Sequence, residues 1–484
     1  MSSSSEEPGG HKGGGIEGKK EAKEKNKKNK KNKKNKKNKN KGKDGGQKEA
    51  QTLQMGTVLQ RTFIEKARLG DINAMKALAA KGADVNGSVE PVGFTALMAA
   101  AMMNHVETVR FLGEKLGANV NQADPVGYTA LIVAAGGGYV EIVQLLGEKL
   151  GANVDQVDQG GSTALMIAAM NGHVKVVRLL GEKLGANVNQ VDQVGYTALM
   201  TAAENGHAKV VRFLGEKLGA NVDQVDRQGS TALILAAIWG HVDVVRLLGE
   251  NLGANVNQAM QDGRTALIIA ARRGHAEVVR LLGEKLGANV NQFDKEGATA
   301  LILAAEIGHV EIVRLLGEKL GANVNQASRK GWTALMLAAQ HGHLKVVKLL
   351  VRRLGASVNQ CDNQGLSALL YASASKQTEV VKYLARHGAD LSQGESLGHS
   401  AASLALRSHD LPPADPELAA YLEAKAQCAN PGCKRGGLKK CSRCQRARYC
   451  GTECQKIHWK AAHKKECVRP SSKDVGAASV VEDN

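Results

Sequence analysis

Residues 161–194 read GSTALMIAAMNGHVKVVRLLGEKLGANVNQVDQV. Thr163 is a natural helix N-cap, because its hydroxyl can accept from a backbone N–H left free in the first turn. The short Ala/Leu helix after it stops at Gly172. A second helix then places Val176, Val177, Leu180 and Leu184 at i, i+3/i+4 spacing, which makes one apolar stripe, and Gly185 ends it at the position past the C-cap. What remains, through Gly195, is polar and turn-like and suits an extended hairpin finger between helix pairs.

Thr-Ala-Leu recurs at Thr95, Thr129, Thr163, Thr197, Thr231, Thr265, Thr299 and Thr333, with Ser-Ala-Leu at Ser367, always 34 residues apart. So strict a period means that each unit is one supersecondary element, which buries its apolar face only by stacking on its neighbours. Composition agrees. Only 3% of the 484 residues are aromatic and 55 are glycine, so the core is built from small and aliphatic side chains, which favours thin, repeated helical layers.

With its G-x-T-x-L, A-A, G-H and G-A-N-V-N landmarks the unit resembles the ankyrin repeat. The resemblance implies an all-α repeat solenoid of helix pairs with hairpin fingers. In two respects the unit departs from the family. Ala and an apolar residue replace the family's Pro and His after the threonine. Leu-Leu-Gly-Glu-Lys-Leu-Gly-Ala is also one residue longer than the usual end of the second helix, giving a period of 34 where the family has one fewer. Alanine lacks proline's preset φ but is a strong helix former, so the fold should survive. A tetratricopeptide array shares the period, yet it would want larger aromatic packing residues and no Gly-Ala-Asn-Val-Asn finger. Residues 57–90 keep Ile72, Ala74, Met75 and Leu78 without Thr-Ala-Leu, as an N-terminal cap would. The spacing shortens at Val380–Asp390, and 398–424 reads as a degenerate last pair. The expected array covers 57–424, about eleven units with caps.

In-phase copies within one chain separate scaffold positions from free ones. Histidine recurs at 105, 173, 207, 241, 275, 309 and 343. Ankyrin geometry would set these rings about 10 Å apart, too far to share an ion at bond lengths of ~2 Å, so they read as structural. The varying positions are the residue before each Thr, the pair before each Gly-His and the two residues before the hairpin Gly; the resemblance implies that they face a concave groove. The first class includes Phe94, Tyr128, Tyr196, Arg264 and Trp332. The second includes Met102, Met103, Ile238, Trp239, Arg272 and Arg273, and Arg329 and Lys330 come from the third. Aromatics and Arg are the types enriched at binding hot spots, so these are the expected partner-binding residues.

Seven of the eight cysteines crowd into CANPGCKRGGLKKCSRCQRARYCGTECQKIHWKAAHKKEC, residues 428–467. The pairs are Cys428-x4-Cys433, Cys441-x2-Cys444, Cys450-x3-Cys454 and His463-x3-Cys467. Eight ligands at such spacings suffice for two closed tetrahedral zinc sites and leave no open position for a metal-bound water. The run resembles the MYND-type zinc finger, with Arg448-Tyr449-Cys450, Cys454-Gln455, His458-Trp459 and His463-x3-Cys467 in register. The resemblance implies interleaved ligation, one ion on Cys428, Cys433, Cys450 and Cys454 and the other on Cys441, Cys444, His463 and Cys467. The family's peptide-binding members take proline-rich segments at positions matching Ser442, Gln455 and Trp459. The one departure is the wide first pair, where Asn430-Pro431-Gly432 can supply the turn.

Charge is uneven. Residues 1–56 carry 17 Lys against 7 acids, 57–427 carry 35 Lys/Arg against 35 acids, and 428–469 carry 12 against 2. Polyanion chemistry therefore belongs to the ends. The Lys/Asn-rich tract at 19–43 cannot bury enough surface to offset its ordering, so 1–56 is expected to be a disordered tail, either solubilising or a contact for import factors, nucleic acid or anionic membrane. Residues 468–484 are expected to be flexible as well. No apolar run long enough to span a membrane appears, and MSSSSEEPGG lacks an apolar leader segment, so an intracellular protein of cytoplasm or nucleus is expected. The expected function is a non-enzymatic adaptor whose array binds one protein and whose finger binds another. A nuclear, chromatin-associated regulator using the basic tail and finger is the alternative, with non-specific, salt-sensitive nucleic-acid contact. A lysine methyltransferase role is disfavoured, because the 17 residues after Cys467 hold no catalytic domain.

Overall fold

The computed structural model describes residues 55–89, 93–393, 401–406, 415–426 and two short strands at 439–440 and 448–449. The Lys/Asn-rich tract, the expected zinc ligands and the residues after Cys467 lie outside them. The fold is an all-α repeat solenoid. It divides into two compact units, the first ending at Ala134 and including Glu148–Ala152, the second made of Ala135–Gly147 and the described residues from Asn153 onward.

The first unit starts with a helix over 55–68 and Ile72–Ala80, where Asp71 caps the second helix by accepting from Ala74 N at 2.9 Å. Phe63 and Met75 are fully buried between them and the next pair. That pair is Ala96–Met102 and Val106–Arg110, preceded by a two-stranded ribbon in which Val89 faces Phe94.

In the second unit the pattern of 161–194 becomes a helix Ala164–Met170 and a helix Val174–Arg178, and the pair repeats through Ala334–Gln340 and Leu344–Arg352. Each first helix begins at its threonine; Thr163 Oγ1 accepts from Met166 N and Thr231 Oγ1 from Ile234 N, both at 3.3 Å. The first helices are nearly all Ala, Leu, Ile and Met and almost fully buried, since alanine lets successive helices stack closely. Ala368–Ala374 with Thr378–Arg386 and then Ala401–Leu406 with Pro416–Ala426 continue the stack, and Asp415 ties the last pair back through Thr378 Oγ1 at 3.0 Å.

The extra residue of the 34-residue period has a structural account. Most of the second helices run on into a wider turn, as at Leu179–Lys183, where Leu184 N donates to Leu179 O, five residues back, at 3.1 Å. A turn closed at i→i+5 holds one more residue than an α turn. The unit without the insertion ends with His387 N on Tyr383 O at 3.1 Å, an ordinary α closure. The inserted residue is always leucine, and its side chain enters a notch left by a glycine of the preceding unit. A Cβ at Gly249 would lie 2.7 Å from Leu286 Cδ2, and Gly181, Gly215, Gly283 and Gly317 stand in the same relation to Leu218, Leu252, Leu320 and Leu354. Where the following unit lacks the leucine, the notch position is Val351.

Histidines hold successive pairs together. His207 Nε2 bonds to Met170 O at 2.8 Å, His241 to Glu204 O at 2.8 Å, His275 to Ile238 O at 3.0 Å and His309 to Arg272 O at 3.2 Å, each closing a carbonyl at the end of the previous first helix. Their structural reading is therefore correct. The fingers are laced by side chains to backbone, as in Asn221 N on Asn189 Oδ1 and Asn255 N on Asp223 Oδ1, both 2.8 Å.

Candidate protein-interaction surface

What this scaffold leaves over is a face made of finger residues and the last turns of the first helices. In the first unit, Tyr128 is 37% exposed and Met102 and Met103 are exposed, while Phe94 is half-buried in its ribbon. In the second unit, Trp239 stands out at 59% exposure as the last residue of Ala232–Trp239. Arg272 and Arg273 take the same place on Ala266–Arg273, followed by Gly274 in the left-handed region at φ 88°.

These arginines border a cavity of about 480 Å³. Ile238, Met260, Ile269 and Ile307 supply its apolar lining, with Arg264 and Gln228 from the fingers. Arg264 is fixed by Asp262, whose Oδ2 accepts from Arg264 Nε at 2.6 Å. Burial opposes this carboxylate's charge, but the Arg264 hydrogen bonds outweigh it and hold Asp262 below its ordinary range. Arg272 and Arg273 have no ion pair among the described residues.

The other expected residues divide by environment. Arg329 and Lys330 are exposed on one finger, with Lys330 Nζ 4.8 Å from the centre of the Trp332 ring. Trp332 itself is half-buried. Its Nε1 donates to Tyr371 Oη at 2.7 Å, and that hydroxyl donates to Asp362 Oδ2 at 2.6 Å, so the ring braces two units. Tyr196 is half-buried too, its phenol pushed up to about 12 by burial and then by Glu204, Asp226 and Asp192. Sequence reasoning passes over Phe293, 53% exposed, and Ile307, 45% exposed. Phe293 occupies the finger position just before Asp294, where Val157, Val191, Val225, Ala259 and Cys361 vary in phase; that variation was the available signal. Cys361, apart from the cysteine cluster, has its thiol pushed up by burial and by Asp362 and Asp390, which disfavours the nucleophilic thiolate.

At the cysteine-rich end the described residues are a pair of two-residue strands, Lys439–Lys440 against Arg448–Tyr449, with Lys439 opposite Tyr449. Cys441 follows the first strand directly and Cys450 the second. The eight expected zinc ligands, Ser442, Gln455 and Trp459 lie outside the described residues. The donor set, seven thiols and an imidazole, suits zinc by its chemistry. Among the described residues no helix is long and apolar enough to cross a membrane.

Comparison with known proteins bears on both parts. The family model for ankyrin repeats matches 56–124, 116–192, 182–260, 251–328 and 320–395. The MYND finger model matches 428–467. Curated relatives match only briefly: ubiquitin carboxyl-terminal hydrolase 15 of Arabidopsis thaliana is 49% identical over 47 residues, 10% of this chain and 4% of that protein. Programmed cell death protein 2 of Bos taurus is 36% identical over 66 residues, 13% of this chain and 19% of that protein. The chain thus spans less than a fifth of either relative. With stacked 34-residue helix pairs and family matches running from 56 to 395, followed by the finger at 428–467, the chain belongs to the ankyrin-repeat proteins and carries a zinc-binding MYND finger.

Proposed function

We propose that this protein is a non-enzymatic adaptor that holds one protein on the variable face of its repeat array and a second on its finger. The observation that carries this reading is the exposure of Trp239, Arg272, Arg273 and Ile307 on positions that the repeat uses for no packing. Large aromatic and Arg side chains on such a face are the residues from which hot spots are made. Both matched families are interaction modules, and the donors at the finger are sufficient to close their metal sites without an open position.

In the finger, Cys428, Cys433, Cys450 and Cys454 would hold one zinc ion and Cys441, Cys444, His463 and Cys467 the other. Bound zinc supplies cross-linking in place of a core that some forty residues cannot build. Ser442, Gln455 and Trp459 would then present the peptide-contacting surface. Metal analysis of the purified full-length chain should give two zinc ions; one ion would refute this ligand set. For the array, Trp239→Ala and Arg272→Ala should each weaken a captured partner by about 2 kcal/mol or more, the scale of a hot-spot truncation. Unchanged affinity for both, with circular dichroism intact, would move the binding site off this face.

A further inference from the structure

The 480 Å³ cavity in the second unit is too small to seat a folded surface and is in the range of sites that take a few side chains, ~300–1000 Å³. Its lining is chemically divided. Ile238 and Ile307 are partly or well exposed within it, while Arg272 and Arg273 stand on its border as adjacent residues of one helix end. The backbone beneath them is fixed, since Arg272 O is bonded by His309 Nε2 at 3.2 Å, so both forks are presented from a rigid base.

Several arginines of the array have acidic partners. On the second helices Arg212 pairs with Glu216 at 3.5 Å, Arg246 with Glu250 at 3.8 Å, and Arg280 with Glu277 and Glu311 at 3.6 and 3.4 Å. Arg264 has Asp262. Arg272 and Arg273 are exposed and have no ion pair among the described residues. The surrounding fingertips add basic side chains: Arg227, Lys295, Arg329 and Lys330 are all exposed, with Glu296 beside Lys295 and Asp262 paired to Arg264, whereas the corresponding positions of the two preceding units, Gln159-Gly160 and Gln193-Val194, carry no charge. Basic finger residues are therefore concentrated in the units around the cavity.

We propose that this cleft binds an extended peptide of acidic–aliphatic sequence, a carboxylate bridging the Arg272 and Arg273 guanidinium groups while the next branched aliphatic side chain enters between Ile238 and Ile307. The inference rests on the adaptor reading of the array and gives its partner a chemistry. Paired guanidinium forks match a carboxylate's geometry. An isoleucine-lined floor supplies a dry pocket for an aliphatic residue and no stacking platform for bases, which separates this ligand from a nucleic-acid strand.

The test uses the purified full-length chain on an array of twelve-residue peptides in four classes: acidic–aliphatic, acidic–polar, basic–aliphatic and neutral–aliphatic. The acidic–aliphatic class should be retained best. The strongest member, followed by fluorescence anisotropy, should bind at least tenfold more weakly to Arg272→Glu and severalfold more weakly to Ile307→Ser, and more weakly as salt rises; Arg212→Glu, on a second helix, should bind unchanged. Circular dichroism keeps misfolded variants out of the comparison, and Arg273→Gln serves as a milder second variant. Preference for another peptide class, affinities within twofold for both cavity variants, or displacement by oligo-dT overturns the proposal. So does retention of no peptide at all. If in that case Trp239→Ala still releases a protein partner, the adaptor reading survives and only the occupant proposed here is wrong.

Discussion

Alanine at Gly249 should destabilise the array, contrary to the ordinary rule that alanine in place of glycine inside a helix gains ~0.5–1 kcal/mol. Gly249 lies in the wide turn Leu247–Asn251, and a Cβ there would fall 2.7 Å from Leu286 Cδ2, 3.1 Å from its Cγ, and closer still to Cδ1. Carbon atoms prefer about 3.5–4.0 Å. Either Leu286, half-buried, leaves the notch and gives up about half of the ~1.5–3 kcal/mol of a buried leucine, or the units part at an overpacking cost of ~1–3 kcal/mol. Set against the helix gain, the net is a loss of roughly 1 kcal/mol. With Leu286→Ala already present the notch is open, and Gly249→Ala should then stabilise by ~0.5–1 kcal/mol. The change of sign corresponds to a coupling of about 1.5–2 kcal/mol, within the range for residues in contact. Global melting would dilute so local an effect, because the array's stability is a sum over units and interfaces. Native-state hydrogen exchange reads it in place: amides of 281–288, including Leu286 N on Leu281 O at 3.1 Å, should exchange about fivefold faster in Gly249→Ala. Stabilisation in both backgrounds, or an equal loss in both, would refute the notch.

Three further outcomes are expected. His241→Ala leaves the Glu204 carbonyl without its 2.8 Å partner and should cost about 1–3 kcal/mol by exchange or thermal melting; His241→Gln should recover part of it, since Gln377 Nε2 already plays this role on Gln340 O at 3.3 Å, and equal losses would count against the staple. Tyr196 and Tyr371 are both pushed up to about 12, Tyr371 by burial and its hydrogen bond to Asp362. A raised folded value favours the protonated phenol, so their contribution is complete below the unfolded value of about 10 and is lost as pH rises through 12. Ultraviolet titration should show a late phase that shrinks in Tyr196→Phe and in Tyr371→Phe; a single phase near 10 would contradict the burial of these rings. Strong chelator should release zinc from 428–467 while the helical circular dichroism of the array persists, because coupling in a solenoid runs only between neighbours. Loss of most helicity would mean that finger and array fold as one.

Helix pairs and their caps are legible in the sequence because each is local: Thr231 and Ile234 are three residues apart, and nine copies repeat the same chemistry. Contacts between units are not legible in the same way. Gly249 and Leu286 look like a weak helix residue and a surplus leucine until stacking brings them together. Trp332 has the composition of an exposed anchor, yet its ring is half-buried and its indole is bonded to Tyr371, 39 residues on. Phe293 is the converse. Its position carries Val, Ala or Cys in other copies, so its exposure is visible only once the finger is in place. The cavity brings together residues from four successive repeats, and no single repeat contains its pattern of isoleucine and arginine.

The histidine staples bond to backbone carbonyls, and the residues that offer those carbonyls are Met170, Glu204, Ile238, Arg272 and Glu306. Adjacent fingers are joined in the same manner, with Gln193 N on Gly160 O and Arg227 N on Val194 O at 2.9 and 3.0 Å. Every amino acid except for the amide proton of proline provides these groups equally. The scaffold is thus indifferent to which side chains it displays: a methionine, a glutamate and an arginine are held with the same bond. Mutation can therefore rewrite the face one residue at a time without renegotiating the fold, and the same array can drift from one partner to another while its stacking stays as it is.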